Sequence, residues 1–175
     1  DSQLHSFGVA LAVVSLVMIV LMRSAIIGLL AMIPNLLPIA IGLGAMTLID
    51  IPLNPATVMI AAVALGIVVD DTVHLMTAFE RDVRSTGKVR AAIKSTLLEV
   101  GQPVMVTSVL LVAGFATLIL GSFLPTRQVG GLVALIVVAA LITDLIFLPA
   151  ILRSMPDKLI TKSLGRDEGS LIKDY

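Results

Sequence analysis

The sequence contains no cysteine, no tryptophan and a single tyrosine, and only 14% of its 175 residues are charged. The absence of cysteine excludes disulfides and thiolate metal sites, but it does not indicate a cellular compartment. The scarcity of charge is more informative, because 58% of the residues are hydrophobic and the charges are bunched between long uncharged runs. A soluble domain would need its charges spread over the surface. The composition therefore predicts a membrane protein.

Five hydrophobic segments are long enough to cross a bilayer once the few acids inside them are included. A transmembrane helix needs roughly 20 apolar residues. Between the third and fourth segments, cations alternate with apolar residues at helical spacing, which predicts an amphipathic helix over about 86–99 on the cytoplasmic surface. A connecting helix without lipid contact fits the same pattern. The prediction is an all-α membrane bundle over residues 1–155, followed by a cytoplasmic tail over 156–175, with spans at about 4–22, 24–48, 55–79, 101–125 and 128–152.

The basic residues indicate the orientation of this bundle. With five spans, 11 of the 12 lysines and arginines fall on one side of the membrane and Arg127 alone on the other. Because basic residues gather in cytoplasmic loops, this distribution predicts an outside N-terminus and a cytoplasmic C-terminus. An even number of spans would put basic loops on both sides.

Three ionisable residues lie in the middle of the third span, in the stretch GIVVDDTVHL over 66–75. Such residues are rare and costly in lipid, and they are usually functional. On an ideal helix Asp70, His74 and Gly66 share one arc, and Asp71 lies about 100° from Asp70. Small residues allow a neighbouring helix to approach closely, so we expect this stripe to face the bundle interior. The full stripe is Ala62, Gly66, Asp70, His74 and Ala78.

Every predicted span carries a polar residue at a similar depth. Each lies roughly 12 to 18 Å from the cytoplasmic boundary, which is near the midplane of a core about 30 Å thick. In the second span, the prolines of AMIPNLLPIAIG each remove a backbone hydrogen bond, so we expect a kink or a loosened helix there. The residues of this polar layer are Ser15, Asn35, Asp70, Thr107 and Asp144.

Two carboxylates and an imidazole near the midplane can act as a proton switch. Burial disfavours a charged carboxylate, and a second carboxylate disfavours it further, so Asp70 and Asp71 can share a proton near neutral pH and release it to water or a cation. His74, one turn from Asp70, could donate to the carboxylate or relay its proton. Thr107 and Ser108 on the fourth span could supply hydroxyl partners.

Other interpretations of these polar groups remain open. They could form a satisfied network that only fixes helix packing, and Asp144, with Thr143 beside it, could simply bond a neighbouring backbone. Asp70 and Asp144 could also be the two acids of an intramembrane protease, but those enzymes typically have glycine two residues before one aspartate, where Val68 stands here. We therefore expect no enzyme, no cofactor and no metal.

The stretch GIVVDD resembles the G-x-x-x-D-D motif in the fourth or tenth transmembrane helix of the resistance-nodulation-division superfamily. The similarity is to its exporters of hydrophobes and lipids, the branch of the mycobacterial large membrane proteins, which is related more remotely to Patched and to sterol-sensing proteins. It extends through LLAMIPNLLPIAIG, EVGQPVMVTSVLLVAGFATL and ITDLIFLPAIL, in that order.

This resemblance implies that the chain is helices two to six of one six-helix repeat, the C-terminal repeat being the better match. The first residue is aspartate, not methionine, which also suggests part of a longer polypeptide. Asp70 and Asp71 match the family's proton-coupling acids, and His74 occurs at that place in some members. Asn35, Thr107, Ser108 and Asp144 would support them.

The resemblance also implies a function and partners. The function is proton-driven export of lipids or other hydrophobic molecules across the cell's inner (plasma) membrane, with sodium as the alternative ion. A module that senses sterols or lipids without ion-driven transport is the alternative function. Implied partners are the bilayer, the substrate, the N-terminal repeat, an extracytoplasmic domain and further copies of the protein, whereas nucleic acid is not one.

Overall fold

A computed structural model describes residues 2–52 and 55–164, and every regular element in those ranges is a helix. A 3₁₀ turn, Leu118–Leu120, follows the helix Gly101–Thr117, and a π-helical segment, Thr143–Phe147, joins the helices Leu124–Ile142 and Leu148–Ser154. The helices are α1 (Ser2–Leu21), α2 (Ala25–Leu48), α3 (Pro55–Thr86), α4 (Val89–Glu99), α5 (Gly101–Thr117), α6 (Leu124–Ile142), α7 (Leu148–Ser154) and α8 (Asp157–Ser163).

Four helical segments of the described chain are long and apolar enough to cross a membrane. They are Ala25–Leu48, Ile60–Thr86, Gly101–Leu120 and Leu124–Ser154, while the apolar part of α1, Gly8–Leu21, is shorter. The predicted all-α membrane class is thus confirmed. The fifth span and the orientation of the bundle stay predictions.

The third helix continues to Thr86, beyond the predicted end of the span at 79. Its polar last turns are stabilised by an ion pair of Arg84 with Glu80 at 2.6 Å, and Val83 on the same turns is buried. Gly87, with φ 68°, ends the helix because glycine adopts this left-handed conformation without strain. The amphipathic helix therefore begins only at Val89.

The apolar side of α4 packs on the bundle, where Val89 and Ala92 are buried in the same cluster as Phe79 and Leu152. The predicted tail also starts with packed structure, since Ile160 of α8 belongs to this cluster. Residues 165–175 lie outside the described residues. One end of the bundle is thus closed by α4, α7 and α8 together.

Two glycines allow neighbouring helices to approach closely. A Cβ atom on Gly28 would lie 2.7 Å from the Cα of Ile19, and one on Gly130 would lie 2.5 Å from the carbonyl oxygen of Phe115. Contacts this short are incompatible with any larger residue unless the backbone moves. These positions hold α1 against α2 and α5 against α6.

Candidate functional site

Three consecutive residues of α3 face three different environments. The side chain of Asp70 is 73% exposed, whereas Asp71 is buried and Thr72 is fully buried. The separation follows from the turn of about 100° per residue in an α-helix. The two acids therefore occupy different surroundings although they are adjacent in sequence.

Asp70 and His74 lie on the outer face of α3, which also carries Ala62 and Gly66. The Nε2 atom of His74 is 3.7 Å from Oδ1 of Asp70, and a Cβ added at Gly66 would meet no atom within 4 Å. The prediction that this stripe faces the interior of the bundle is wrong for the described helices; of its residues only Ala78 is buried.

The reason lies on the opposite side of the same helix. A helical wheel gives the angles between residues but does not say which side packs inward. Leu65, Val68, Leu75 and Met76 are all buried there, and that apolar side occupies the interior. The outer face carries no large side chain at Ala62 and Gly66, and both residues are exposed.

A groove of about 440 Å³ runs between α3 and α5 and is lined by Asp70, Asp71, His74 and Thr107 among others. Ser108 Oγ donates to Asp71 Oδ2 at 3.2 Å, so the predicted hydroxyl partner is present on α5. Thr107 lines the groove, but its hydroxyl donates to carbonyls of its own helix, such as that of Val104 at 3.0 Å.

A second groove, of about 640 Å³, continues from the first along α5. The two share Thr107 and Leu111, and the walls of the second are otherwise apolar, with Leu110, Phe115 and Leu118. The acids thus open onto a surface that changes from polar to apolar along one helix.

Two of the other predicted polar residues, Asn35 and Asp144, form an interior network with Thr72. Thr72 Oγ1 lies 2.6 Å from Asn35 Oδ1 and 2.9 Å from Asp144 Oδ1. Asn35, Thr72 and Asp144 are completely buried, and they belong to three different helical segments. Thr72 is therefore the central hydroxyl that joins α2, α3 and the π-helical segment.

Thr143 precedes Asp144 in the chain and lies against the prolines of α2, which is a continuous helix through Pro34 and Pro38. Because Pro38 has no N–H, the carbonyl of Pro34 lacks its helical donor. Thr143 Oγ1 lies 3.2 Å from that oxygen and 2.9 Å from the carbonyl oxygen of Ala140 in its own helix. The hydroxyl is thus placed to supply the donor that α2 cannot provide.

The π-helical segment was not predicted from the sequence. Pro149 offers no N–H to the carbonyl of Leu145, which removes one of the bonds that would hold an ordinary α-turn. Leu148 instead donates to Thr143, five residues earlier. Single π-turns within α-helices are frequent at functional sites, and this one carries both Thr143 and Asp144 into the interior.

Sequence reasoning also missed Thr72. A signal was present, because Thr72 lies about 200° around the helix from Asp70, on the side of the apolar residues. No group of three histidine, aspartate or glutamate side chains that could hold a metal occurs among the described residues.

Comparisons with known proteins place this geometry in context. The family model described as Patched SSD, the sterol-sensing domain of Patched, matches residues 4–154. A Methanocaldococcus jannaschii protein with the name "Putative membrane protein MJ1562" is 30% identical over 152 residues, which cover 87% of this chain and 39% of that protein. The chain therefore spans about two fifths of the length of this relative. No solved structure matches the chain significantly.

Proposed function

The chain belongs to the Patched family of multi-pass membrane proteins, related to the resistance-nodulation-division superfamily, and from this we propose that it is the membrane half-domain of a proton-driven exporter. Its cargo would be lipids or other hydrophobic molecules, and its location the inner (plasma) membrane. The relation to Patched and sterol-sensing proteins that the motifs indicated is confirmed. Coupling by the aspartate pair is the proposal.

The observation that carries this proposal is an exposed acid and histidine on a membrane-spanning helix, next to a buried acid. Asp70 and His74 have side chains 73% and 66% exposed, and Asp71 is bonded to Ser108. A charge facing lipid at this depth is strongly unfavourable, so such residues face protein or a water-filled cavity. The outer face of α3 is therefore where a second repeat, or water between two repeats, belongs.

Protonation at this interface would alter how the two repeats pack. When Asp70 or Asp71 binds a proton, a charge disappears from the face that the partner covers. The free-energy difference between two arrangements of the repeats then depends on whether the acids hold a proton, and this dependence is the condition for coupling. Rocking of one repeat against the other would pass this change to the parts of the protein that handle substrate.

The second candidate is a module that senses sterols or lipids without moving protons. Two observations favour it: the matching family model is the Patched sterol-sensing domain, and the apolar groove along α5 has a volume of about 640 Å³. A bound lipid would then act through α5, and the acids would serve only in packing.

Transport by the full-length protein in proteoliposomes separates these functions. Release of a fluorescent phospholipid is followed under an imposed pH gradient in wild type, Asp70→Asn and Asp71→Asn. We expect both variants to lose gradient-driven release while their folding and insertion stay normal. Asp50→Asn is the matched control, because Asp50 is an exposed acid in a turn at φ 53°, which asparagine tolerates well.

The outcomes are distinct. Equal gradient-driven release in all variants would reduce the acids to packing groups and leave the sensing function. Release driven by a sodium gradient, and abolished in the same variants, would keep the acid pair as the coupling site but change the ion. Loss in the Asp50→Asn control would show that the assay reports expression and not coupling.

A further inference from the structure

The interior network contains more hydrogen-bond acceptors than its central hydroxyl can serve. A threonine hydroxyl has one proton to donate. Thr72 Oγ1 lies 2.6 Å from Asn35 Oδ1, 2.9 Å from Asp144 Oδ1 and 3.3 Å from the carbonyl oxygen of Val68. If the oxygens of Asn35, Asp144 and Val68 could only accept, the single proton of Thr72 could serve one of these three contacts. The other two oxygen–oxygen contacts would then lack a proton.

The orientation of the Asn35 amide excludes Asn35 as a donor to Thr72. Its Nδ2 atom donates to the carbonyl oxygen of Ala31 at 3.0 Å. Exchanging the amide oxygen and nitrogen would let Asn35 donate to Thr72, but it would set two oxygens 3.0 Å apart at Ala31. The amide orientation is therefore determined by its backbone partner, and Oδ1 faces Thr72 as an acceptor.

The remaining donor is the carboxyl group itself, and we propose that Asp144 is a proton-binding site that holds a proton on Oδ1. The acid then donates to Thr72 Oγ1, Thr72 donates to Asn35 Oδ1, and Asn35 donates to the Ala31 carbonyl. The two shortest contacts of Thr72, to Asn35 and to Asp144, then have one proton each, and only the longest, of 3.3 Å to the carbonyl oxygen of Val68, lacks one. The chain of donors runs from the π-helical segment through α3 into α2.

The second oxygen of Asp144 supports the same assignment independently. Asp144 Oδ2 is buried and has no hydrogen-bond partner within residues 2–52 and 55–164. The residue borders a small cavity whose other walls are apolar except for Thr96, with Leu75, Phe79 and Leu148 among them. A carboxylate with one neutral donor in such surroundings would be strongly disfavoured, whereas a neutral acid leaves only a carbonyl oxygen unbonded.

The charges on the surrounding helices do not compensate a carboxylate at this position. On α3, the chain neighbour of Thr72 is Asp71, a buried acid whose charge would have the same sign as that of Asp144. Helix α2 has no charged residue, and among the described residues no cation forms an ion pair with Asp144. The charged residues of α4, α6 and α7 are all exposed: Arg90, Lys94, Glu99, Arg127 and Arg153.

The proton has a structural consequence. When Asp144 loses it, Thr72 can donate to Asp144 or to Asn35 but not to both. One of the two contacts must open, and the π-helical segment separates from α3, or α3 from α2. Proton binding at Asp144 is thereby linked to the packing of three helical segments, at a site distinct from the groove of Asp70. The inference holds whether the protein exports or senses its ligand.

Infrared spectroscopy of the full-length protein in lipid tests this assignment. At neutral pH we expect a carbonyl band of a protonated carboxylic acid that disappears in Asp144→Asn and persists in Asp71→Asn. Thr72→Val should shift the same band to higher frequency, because the acid loses its acceptor, and Thr72→Ser should restore it. A wild-type spectrum whose acid bands are unchanged in Asp144→Asn overturns the proposal.

Stability against pH provides a second readout. Because the folded state binds the proton, wild type should be stabilised at low pH and lose that stability as the pH rises through the titration of Asp144. Asp144→Asn keeps a donor toward Thr72, so its unfolding should lack this loss. The same pH dependence in wild type and variant contradicts the proposal. Should Asp144→Asn fail to fold, the band shift between Thr72→Val and Thr72→Ser decides.

Discussion

Replacing Thr72 by valine removes the hydroxyl that joins three helical segments and leaves the shape of the side chain almost unchanged. Thr72 is fully buried, so no water can replace the lost oxygen without rearrangement. Two buried groups, Asn35 Oδ1 and Asp144 Oδ1, lose a partner that lies 2.6 Å and 2.9 Å away. The change in unfolding free energy of this variant therefore measures the contribution of the hydrogen bonds of the interior network.

The expected loss of unfolding free energy is about 2 kcal/mol. Leaving a buried polar group unsatisfied costs about 1 to 3 kcal/mol, whereas hydrogen bonds between membrane helices average about 0.6 kcal/mol and reach about 1.7. Two groups at roughly 1 kcal/mol each give the stated value. Since about 1.4 kcal/mol is a factor of ten, the ratio of folded to unfolded protein should fall roughly 30-fold.

Reversible unfolding in mixed lipid and detergent micelles measures this loss. Thr107→Val is the matched control, because Thr107 is exposed and its hydroxyl bonds only carbonyls of its own helix. Its change should stay within about 0.5 kcal/mol, as is usual for surface substitutions. If Thr72→Val is no more destabilising than Thr107→Val, the network is not a source of stability and the reasoning from hydrogen-bond counts fails.

Two further predictions concern helix packing and orientation. Gly130→Ala should destabilise the bundle by about 1 to 3 kcal/mol in the same unfolding assay, the usual cost of overpacking, because its Cβ would overlap the carbonyl oxygen of Phe115. Gly44→Ala is the control and should be neutral or stabilising, because the described residues place no atom within 4 Å of its Cβ. A larger loss in Gly44→Ala than in Gly130→Ala would contradict the described contact between α5 and α6. This chain has no cysteine of its own, so Arg127→Cys and Lys88→Cys can each be the single cysteine of a full-length protein whose other cysteines, where present, are replaced. An impermeant thiol reagent outside intact cells should modify only the first, and labelling of both or only of the second would contradict the predicted orientation.

The helices could be predicted from the sequence because a membrane span must satisfy its backbone internally, so long apolar runs form helices. The ends of α3 and α4 were harder to predict. The charged residues after Phe79 suggested that α3 ends near 79. The helix continues to Thr86, because an ion pair of Arg84 with Glu80 and the burial of Val83 stabilise its last turns. A polar sequence marks the edge of a membrane but not the end of a helix.

The candidate site was predicted in its residues and only partly in its arrangement. The depth estimate grouped Asn35 and Asp144 with Asp70, and in the structure Asn35 and Asp144 both contact Thr72 in one buried network. It could not show that Asp70 lies outside this network, because helical angles do not determine which side faces inward. Thr72 was missed because its role depends on contacts with two other helices, and these appear only in three dimensions.

Proton movement through the full-length protein decides whether Asp70 and Asp71 couple transport to protons. The measurement follows a trapped pH-sensitive dye in proteoliposomes after an acid pulse, for wild type and for the double variant of Asp70→Asn with Asp71→Asn, at equal amounts of correctly inserted protein. The account predicts that wild type acidifies the lumen faster than the double variant, which should behave like empty vesicles. Equal acidification by both proteins would contradict the role of the aspartate pair and favour a sensing module that moves no protons.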